Sequence, residues 1–197
     1  ERRIPAAETP DGRPGASVLV FGFSTDALNK SVPNRVGQCV MTCPTTAVYN
    51  GLPDAETKIP LGKKIRFFGD GYQKSKQVAG RRYWRIPVMD GEFLVEDVVG
   101  AERGVAGGNL IFQSVDQAAG LAAVRRATDA IWKLPGVITP FPGGSARSGS
   151  KVGSRYKGLV ASTSDAYCPT LRGRVESKLH PGANCAYEIV IDGISEA

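Results

Sequence analysis

The chain has 197 residues, 42% hydrophobic and 22% charged, enough apolar content to bury a core and too balanced a composition for disorder to be the default. Twenty-five Lys and Arg against 19 Asp and Glu give a net charge of +6, which suits anionic partners, either nucleic acid or small polyanionic coenzymes. No run reaches the roughly 18 apolar residues of a membrane span, and Glu1-Arg2-Arg3-Ile4-Pro5 lacks both an initiator Met and a signal-peptide core, so the expectation is a cytoplasmic chain that begins inside a longer gene product.

Residues 1–15 are turn-rich, with Thr9-Pro10-Asp11-Gly12-Arg13-Pro14-Gly15 carrying turn chemistry throughout. Ser17-Val18-Leu19-Val20-Phe21 reads as a short buried strand. From Asp26 to Asn50 the apolar spacing of Val36, Cys39, Val40 and Ala47 predicts helix, kinked or restarted at Pro44. Lys64-Ile65-Arg66-Phe67-Phe68 reads as the next strand, ended by Gly69-Asp70-Gly71. Tyr83–Val88 and Glu92–Glu96 flank Asp90-Gly91, a strong hairpin signal.

Leu110-Ile111-Phe112 is a strand, and residues 117–133 form the clearest helix, rich in Ala and Leu with Asp116 as its N-cap. Val137-Ile138, Lys157–Ala161 and Tyr187-Glu188-Ile189-Val190-Ile191 complete the strands. Strand–helix–strand passages occur twice, which predicts an α+β fold with helices against mostly antiparallel sheets.

The cysteines set limits on the chemistry. Cys39 and Cys43 lie four apart, far from Cys168 and Cys185, which does not fit the close C-x-x-C pairs of a zinc site, so free buried thiols and no metal site are expected. The single histidine, His180, precedes Pro181-Gly182 in an exposed turn. Nucleophilic Ser or Cys catalysis and zinc hydrolysis normally need better-placed histidines, which leaves carboxylates, Lys, Tyr, hydroxyls and backbone amides.

Several uncommon strings then follow one another in a fixed order. Thr9–Gly15 is followed by Gly37-Gln38-Cys39-Val40-Met41-Thr42, Phe67-Phe68-Gly69-Asp70-Gly71-Tyr72 and Gly91-Glu92-Phe93. After these come Gly104-Val105-Ala106-Gly107-Gly108-Asn109, Pro140-Phe141-Pro142-Gly143-Gly144 and Ser150-Lys151-Val152-Gly153-Ser154. Ala161-Ser162-Thr163, Tyr167-Cys168-Pro169-Thr170 and Tyr187–Ile191 close the series. In order and spacing these strings resemble the formylmethanofuran:tetrahydromethanopterin formyltransferase family from Glu8 onward.

The resemblance implies two lobes of ferredoxin-like, split β-α-β architecture with mostly antiparallel sheets. Residues 1–100 would be the first-lobe part and 101–197 a second, distal lobe. Family members extend beyond both ends of this sequence, which implies a fragment. The resemblance also implies transfer of a formyl group between formylmethanofuran and tetrahydromethanopterin, both acting as coenzyme substrates with anionic tails and with no permanently bound cofactor. Homo-oligomers are implied, with hydrolase-complex subunits as further partners and no nucleic acid or membrane.

Such a reaction proceeds by direct attack of a pterin amine and a tetrahedral oxyanion, and it asks the protein for alignment, oxyanion stabilisation and proton relay. The family's cleft glutamate matches Glu188. On its apolar strand an inward carboxyl is desolvated, the setting in which a carboxyl holds and donates a proton near neutral pH; the alternative is a solvent-facing Glu188 sharing a face with Ala186 and Val190.

Asp70 and Tyr72, at a Gly-rich exit, suit a pterin or furan ring, or else form a plain tight turn. Asn109 offers an amide to a formyl oxygen. Ser150, Lys151 and Ser162 suit a phosphate or carboxylate tail, or else belong to a surface loop. Two other readings stay open: a non-catalytic subunit or fragment of a formyltransferase/hydrolase complex, and an RNA binder using Arg66-Phe67-Phe68 on a sheet.

Overall fold

Residues 2–147 and 149–195 are described by the computed structural model, and they divide into two units, Glu1–Arg103 and Gly104–Ala197. Both mix a few helices with mostly antiparallel strands, which is the α+β class the sequence predicts.

In the first unit β1 (Arg2–Ile4) pairs antiparallel with β2 (Gly15–Ser17). Helix α1 (Thr25–Arg35) starts on Ser24, whose hydroxyl accepts from Ala27 N at 3.1 Å. It runs through Pro33, which has no N–H to return to the Asn29 carbonyl one turn back. Lys64 Nζ donates to that carbonyl instead, at 2.5 Å. The chain continues as a π turn, Val36–Val40, closed by Met41 N on Val36 O at 2.8 Å. The helical segment therefore tolerates a proline at 33 and ends before Pro44, where the kink was expected.

The remaining elements are β3 (Ala47–Val48), β4 (Thr57–Pro60), the single turn α2 (Gly62–Ile65), β5 (Lys74–Val78), β6 (Arg81–Val88), β7 (Gly91–Glu96) and β8 (Val98–Ala101). The main sheet has the order β3-β7-β6-β5, with only the β3–β7 pair parallel, and β4 pairs with β8. The hairpin expected around Asp90-Gly91 is present, with Val88 opposite Gly91. Its alternation buries Ile86, Phe93 and Val95, which join Leu61 and the apolar stripe Val32, Val36 and Val40 in one core. Each such side chain contributes roughly 1.5–3 kcal/mol on burial. Gly62 is needed here, because a Cβ would stand 2.7 Å from both Glu96 O and Trp84 Cδ1.

Two strand expectations fail in this unit. Val18, Leu19 and Val20 follow β2 without pairing and are exposed. Residues 64–68 are helical: Lys64 N and Ile65 N both bond Leu61 O, and a 3-10 turn over Arg66–Gly69 ends at Asp70 in the left-handed region. Leu61 and Ile65 face the core from that turn, so packing overrides the β-like alternation. Phe67 and Phe68 consequently sit on a helical turn rather than on a sheet face.

The second unit contains β9 (Val105–Ser114), α3 (Gln117–Ile131), β10 (Val137–Ile138), β11 (Lys151–Val152), β12 (Ala161–Ser162) and β13 (Cys185–Gly193). Asp116 caps α3 as expected, accepting from Ala119 N at 2.7 Å. The sheet order is β10-β13-β9, with both neighbours antiparallel to β13. Val124 and Ile131 of α3 pack on Ile189, with Phe112, Tyr187 and Ile191 around them. Of the strand expected at 157–161 only Ala161 is in a strand, as the first residue of β12 in the short β11–β12 pair.

The thiols also differ from expectation. Cys185 is buried, Cys168 is half-buried, and Cys39 and Cys43 are exposed, the first on the π turn and the second just beyond it. Among the described residues no helix is long and apolar enough to cross a membrane.

Candidate functional site

Strand β13 lies in the middle of its sheet, with both its edges paired, and its two faces are told apart by what packs on them. Tyr187, Ile189 and Ile191 face α3. Period-two alternation sends Ala186, Glu188 and Val190 to the other face, together with their cross-strand partners Gln113, Ile111 and Asn109 on β9. Glu188 is only 7% exposed, so the inward reading of this residue describes the strand and the solvent-facing one does not.

The cover over Glu188 comes from the segment after Gly144. Ala146 N donates to Glu188 O at 2.7 Å, and Glu188 N donates to Ala146 O at 2.9 Å. Gly149 also lies against this residue: an added Cβ there would stand 3.0 Å from Glu188 Oε2. Asn109 is exposed on β9, opposite Val190, and shares the face of Glu188. Below it the ladder bulges: Gly107, at φ 89°, gives its N–H to the buried Asp192 carboxylate at 3.2 Å.

The β11–β12 hairpin carries the predicted tail-binding residues. Lys151 Nζ contacts Asp165 Oδ2 at 2.5 Å, and that hydrogen bond holds the Asp165 carboxyl below its ordinary range. Ser162 Oγ donates to Gly153 O at 2.7 Å, closing the hairpin, while Ser150 is exposed just before β11. The structure brings these three residues onto one hairpin. His180 lies in the exposed turn expected of it, with its backbone N–H on Gln113 Oε1 at 2.6 Å.

Asp70 and Tyr72 belong to the first unit. Tyr72 is 78% exposed, and Asp70, at φ 49°, is exposed in the turn closed by Tyr72 N on Gly69 O at 2.9 Å. The tight-turn reading thus describes the backbone, and the Tyr72 ring stands free in solvent, open for stacking.

Sequence reasoning missed a cleft of about 310 Å³ in the first unit, lined among others by Asp11, Arg13, Thr45, Tyr49 and Asp90. Arg13 grips Asp11 Oδ2 through Nε at 2.9 Å and Nη2 at 2.6 Å. Burial pushes the Asp11 carboxyl up, but its bonds from Arg13 and the Tyr49 hydroxyl leave it below the usual carboxylate value. Burial first, and then the bond to Asp11, push the Tyr49 phenol up to about 12. Thr45, at φ 62°, is held left-handed while its N–H bonds Asp90 Oδ2 at 2.7 Å. The only sequence signal was turn chemistry at 9–15, which gives no hint of a partner more than thirty residues away.

A covered carboxylate and an amide share one sheet face, and the β11–β12 hairpin carries a cation and hydroxyls, groups of the class that can orient a substrate and carry a proton. Comparison with known proteins gives this class a family. The model described as "Formylmethanofuran-tetrahydromethanopterin formyltransferase" matches residues 1–88, and the one described as "FTR, proximal lobe" matches residues 91–197. That description names the second segment proximal, where the sequence reading labelled it distal. The chain belongs to the formylmethanofuran–tetrahydromethanopterin formyltransferase family.

It is 53% identical to the formylmethanofuran–tetrahydromethanopterin formyltransferase of Methylobacillus flagellatus, over 100% of this chain and 66% of that relative. It is also 53% identical to a subunit of the formyltransferase/hydrolase complex of Methylorubrum extorquens, over 96% of this chain and 63% of the relative. The chain therefore spans just under two thirds of the length of these relatives. Among solved structures, the formyltransferase of Methanosarcina barkeri superposes with a TM-score of 0.84 at 45% identity, covering 100% of this chain and 67% of that one. The formyltransferase/hydrolase complex of Methylorubrum extorquens, solved with methylofuran, gives 0.89 at 50% identity, covering 98% and 65%.

Proposed function

We propose that the protein is an enzyme that transfers a formyl group between formylmethanofuran and tetrahydromethanopterin, using both as coenzyme substrates with no permanently bound cofactor. Family membership frames this reading, and the observation that carries it is the covered Glu188 carboxylate on the sheet face that also presents Asn109.

In the forward direction a pterin amine attacks the formyl carbon, and the carbonyl oxygen becomes an oxyanion in a tetrahedral intermediate. Collapse of that intermediate breaks the bond to the methanofuran nitrogen. The attacking amine loses one proton and the departing amine gains one, so a single carboxyl acting first as base and then as acid balances the step. Glu188 takes that role. Asn109 donates its amide to the formyl oxygen, and Lys151, Ser150 and Ser162 meet an anionic coenzyme tail. Asp70 and Tyr72 contribute contacts to a coenzyme ring.

The finer fold reading, a split β-α-β lobe, is supported by the order β10-β13-β9. Strands β9 and β10, joined through α3, run parallel to each other with β13 inserted between them. A cytoplasmic homo-oligomer belongs to the same reading and is tested by light scattering on the intact protein.

The experiment is formyl transfer by the intact protein and its Glu188→Gln variant. A fall of about 10²–10⁴-fold in the variant is the result expected for loss of a general acid-base. Full activity in the variant overturns the Glu188 role and leaves the reaction standing. A second reading, a non-catalytic member of a formyltransferase/hydrolase assembly, is favoured by the Methylorubrum extorquens relative, which is named as one subunit of such a complex. Folded wild-type protein that transfers no formyl group supports it.

A further inference from the structure

We propose that Gly149 is a positioning residue: with the strap of residues 144–147 registered on Glu188, the backbone at Gly149 fixes the Glu188 carboxylate, and it does so because position 149 has no side chain. The inference rests on the acid-base reading of Glu188.

The strap is anchored at its start. Gly144, at φ 79°, follows the turn closed by its N–H on Phe141 O at 2.8 Å. A Cβ there would fall 2.1 Å from Thr128 Cγ2 and 3.0 Å from Thr139 Oγ1, so the backbone at this point lies directly on α3 and on the residue that follows β10. Two residues on, Ala146 makes both of its ladder bonds with Glu188 itself. The strap is thus registered on the residue whose side chain it covers.

The second contact is at Gly149. Its φ of 51° is left-handed, and an added Cβ would stand 3.0 Å from Glu188 Oε2 and 3.2 Å from Ser164 Cβ. Those distances are too tight for a methyl group without displacing a neighbour, and the carboxylate at the end of a three-torsion side chain is the neighbour most free to move. A glycine there has two separable causes, the backbone angle and the space. Gly173 separates them, since its φ is 76° and nothing lies within 4 Å of an added Cβ. Both positions carry the left-handed cost of an alanine, and only position 149 pushes on Glu188.

The test compares Gly149→Ala, Gly173→Ala and Glu188→Gln in the intact protein. Gly149→Ala is expected to lower kcat ten- to a hundredfold with KM for either coenzyme within about twofold, as displacement of a catalytic group by a fraction of an ångström does. Gly173→Ala should stay within twofold in both constants. Added to Glu188→Gln, Gly149→Ala should cost less than a further twofold, because its effect runs through the carboxylate. Equal losses in the two alanine variants, or an undiminished loss in the Glu188→Gln background, overturn the proposal.

A reading free of catalysis keeps the two ideas apart. The carboxyl carbon resonance of Glu188, identified by its disappearance in Glu188→Gln, should shift in Gly149→Ala and stay in place in Gly173→Ala. A shifted resonance together with full activity in Glu188→Gln overturns the acid-base role alone. An unshifted resonance in Gly149→Ala overturns the positioning role.

Discussion

Asn109 and Glu188 lie on the same face of the second unit's sheet, on neighbouring strands and one diagonal step apart, because Asn109 pairs with Val190 and Glu188 with Ile111. Diagonal neighbours of this kind are about 7–8 Å apart at Cα, a span that a formyl group between an amide and a carboxyl would fill. If Asn109 stabilises the oxyanion, Asn109→Ala should lower kcat by about 10²-fold and leave KM nearly unchanged. Combined with Glu188→Gln, the losses should be less than multiplicative, since the two groups serve one transition state. Steady-state kinetics in both coenzymes check this, and a loss confined to KM would reduce Asn109 to a ground-state contact.

Lys151 reaches any anionic tail only in competition with Asp165, which it already contacts at 2.5 Å. Both side chains are partly open to solvent, so the pair itself adds little to stability. Asp165→Asn should release the ammonium and lower the KM for the coenzyme whose tail it meets, whereas Lys151→Met should raise it several-fold with kcat unchanged. The wild-type KM should also rise with salt. Unchanged KM values in both variants would remove Lys151 from the binding site.

What the sequence made legible follows from the range of the interactions involved. The hairpin of β6 and β7 and helix α3 are set by near neighbours: alternation around Asp90-Gly91, and an Ala-rich run behind an Asp116 cap. The segment 64–68 misled because Lys-Ile-Arg-Phe-Phe alternates like a strand, while Leu61 and Ile65 bury themselves from a helical turn. At Pro33 the helix was legible but its support was not, since the donor that relieves the Asn29 carbonyl is Lys64, thirty-five residues on. In the site, Glu188 was legible as a charge on an apolar strand. Gly149 was not: Ser-Gly-Ser reads as loop, and its contact with Glu188 exists only after the chain has returned across thirty-nine residues.

In the first unit a buried carboxylate is held by a half-exposed guanidinium, and removing that partner should be costly. Glu96 is almost wholly buried and accepts from Arg81 Nε at 2.6 Å, Arg81 Nη2 at 2.6 Å and Asn50 N at 2.8 Å. The hydrogen bond to Glu96 raises the Arg81 pKa further above its already high value. Arg81→Met leaves a buried carboxylate with a single donor, and should lower the unfolding free energy by about 1–3 kcal/mol, less than for a wholly buried pair because Arg81 is partly open to solvent. Adding Glu96→Gln should recover part of that loss, because the uncompensated charge is then gone. Urea unfolding of the three variants measures both effects, and a loss under about 0.5 kcal/mol in Arg81→Met would place the pair among surface bridges.

Tyr49 links the cleft of the first unit to pH. Its phenol titrates at about 12, through burial first and the bond to Asp11 second, against about 10 in an unfolded chain. Between those values the unfolded chain has released the proton and the folded chain still holds it. The folded state binds more protons there, so stability falls as pH rises. The contribution of Tyr49 is complete below about pH 10 and is lost on passing 12. In Tyr49→Phe that increment is absent at every pH. The stability difference between wild type and variant, read by denaturant unfolding from pH 9 upward, should therefore shrink toward pH 12. A difference spectrum near 295 nm between the two proteins should show one tyrosine ionising late, and a late transition that persists in Tyr49→Phe would assign it to another residue.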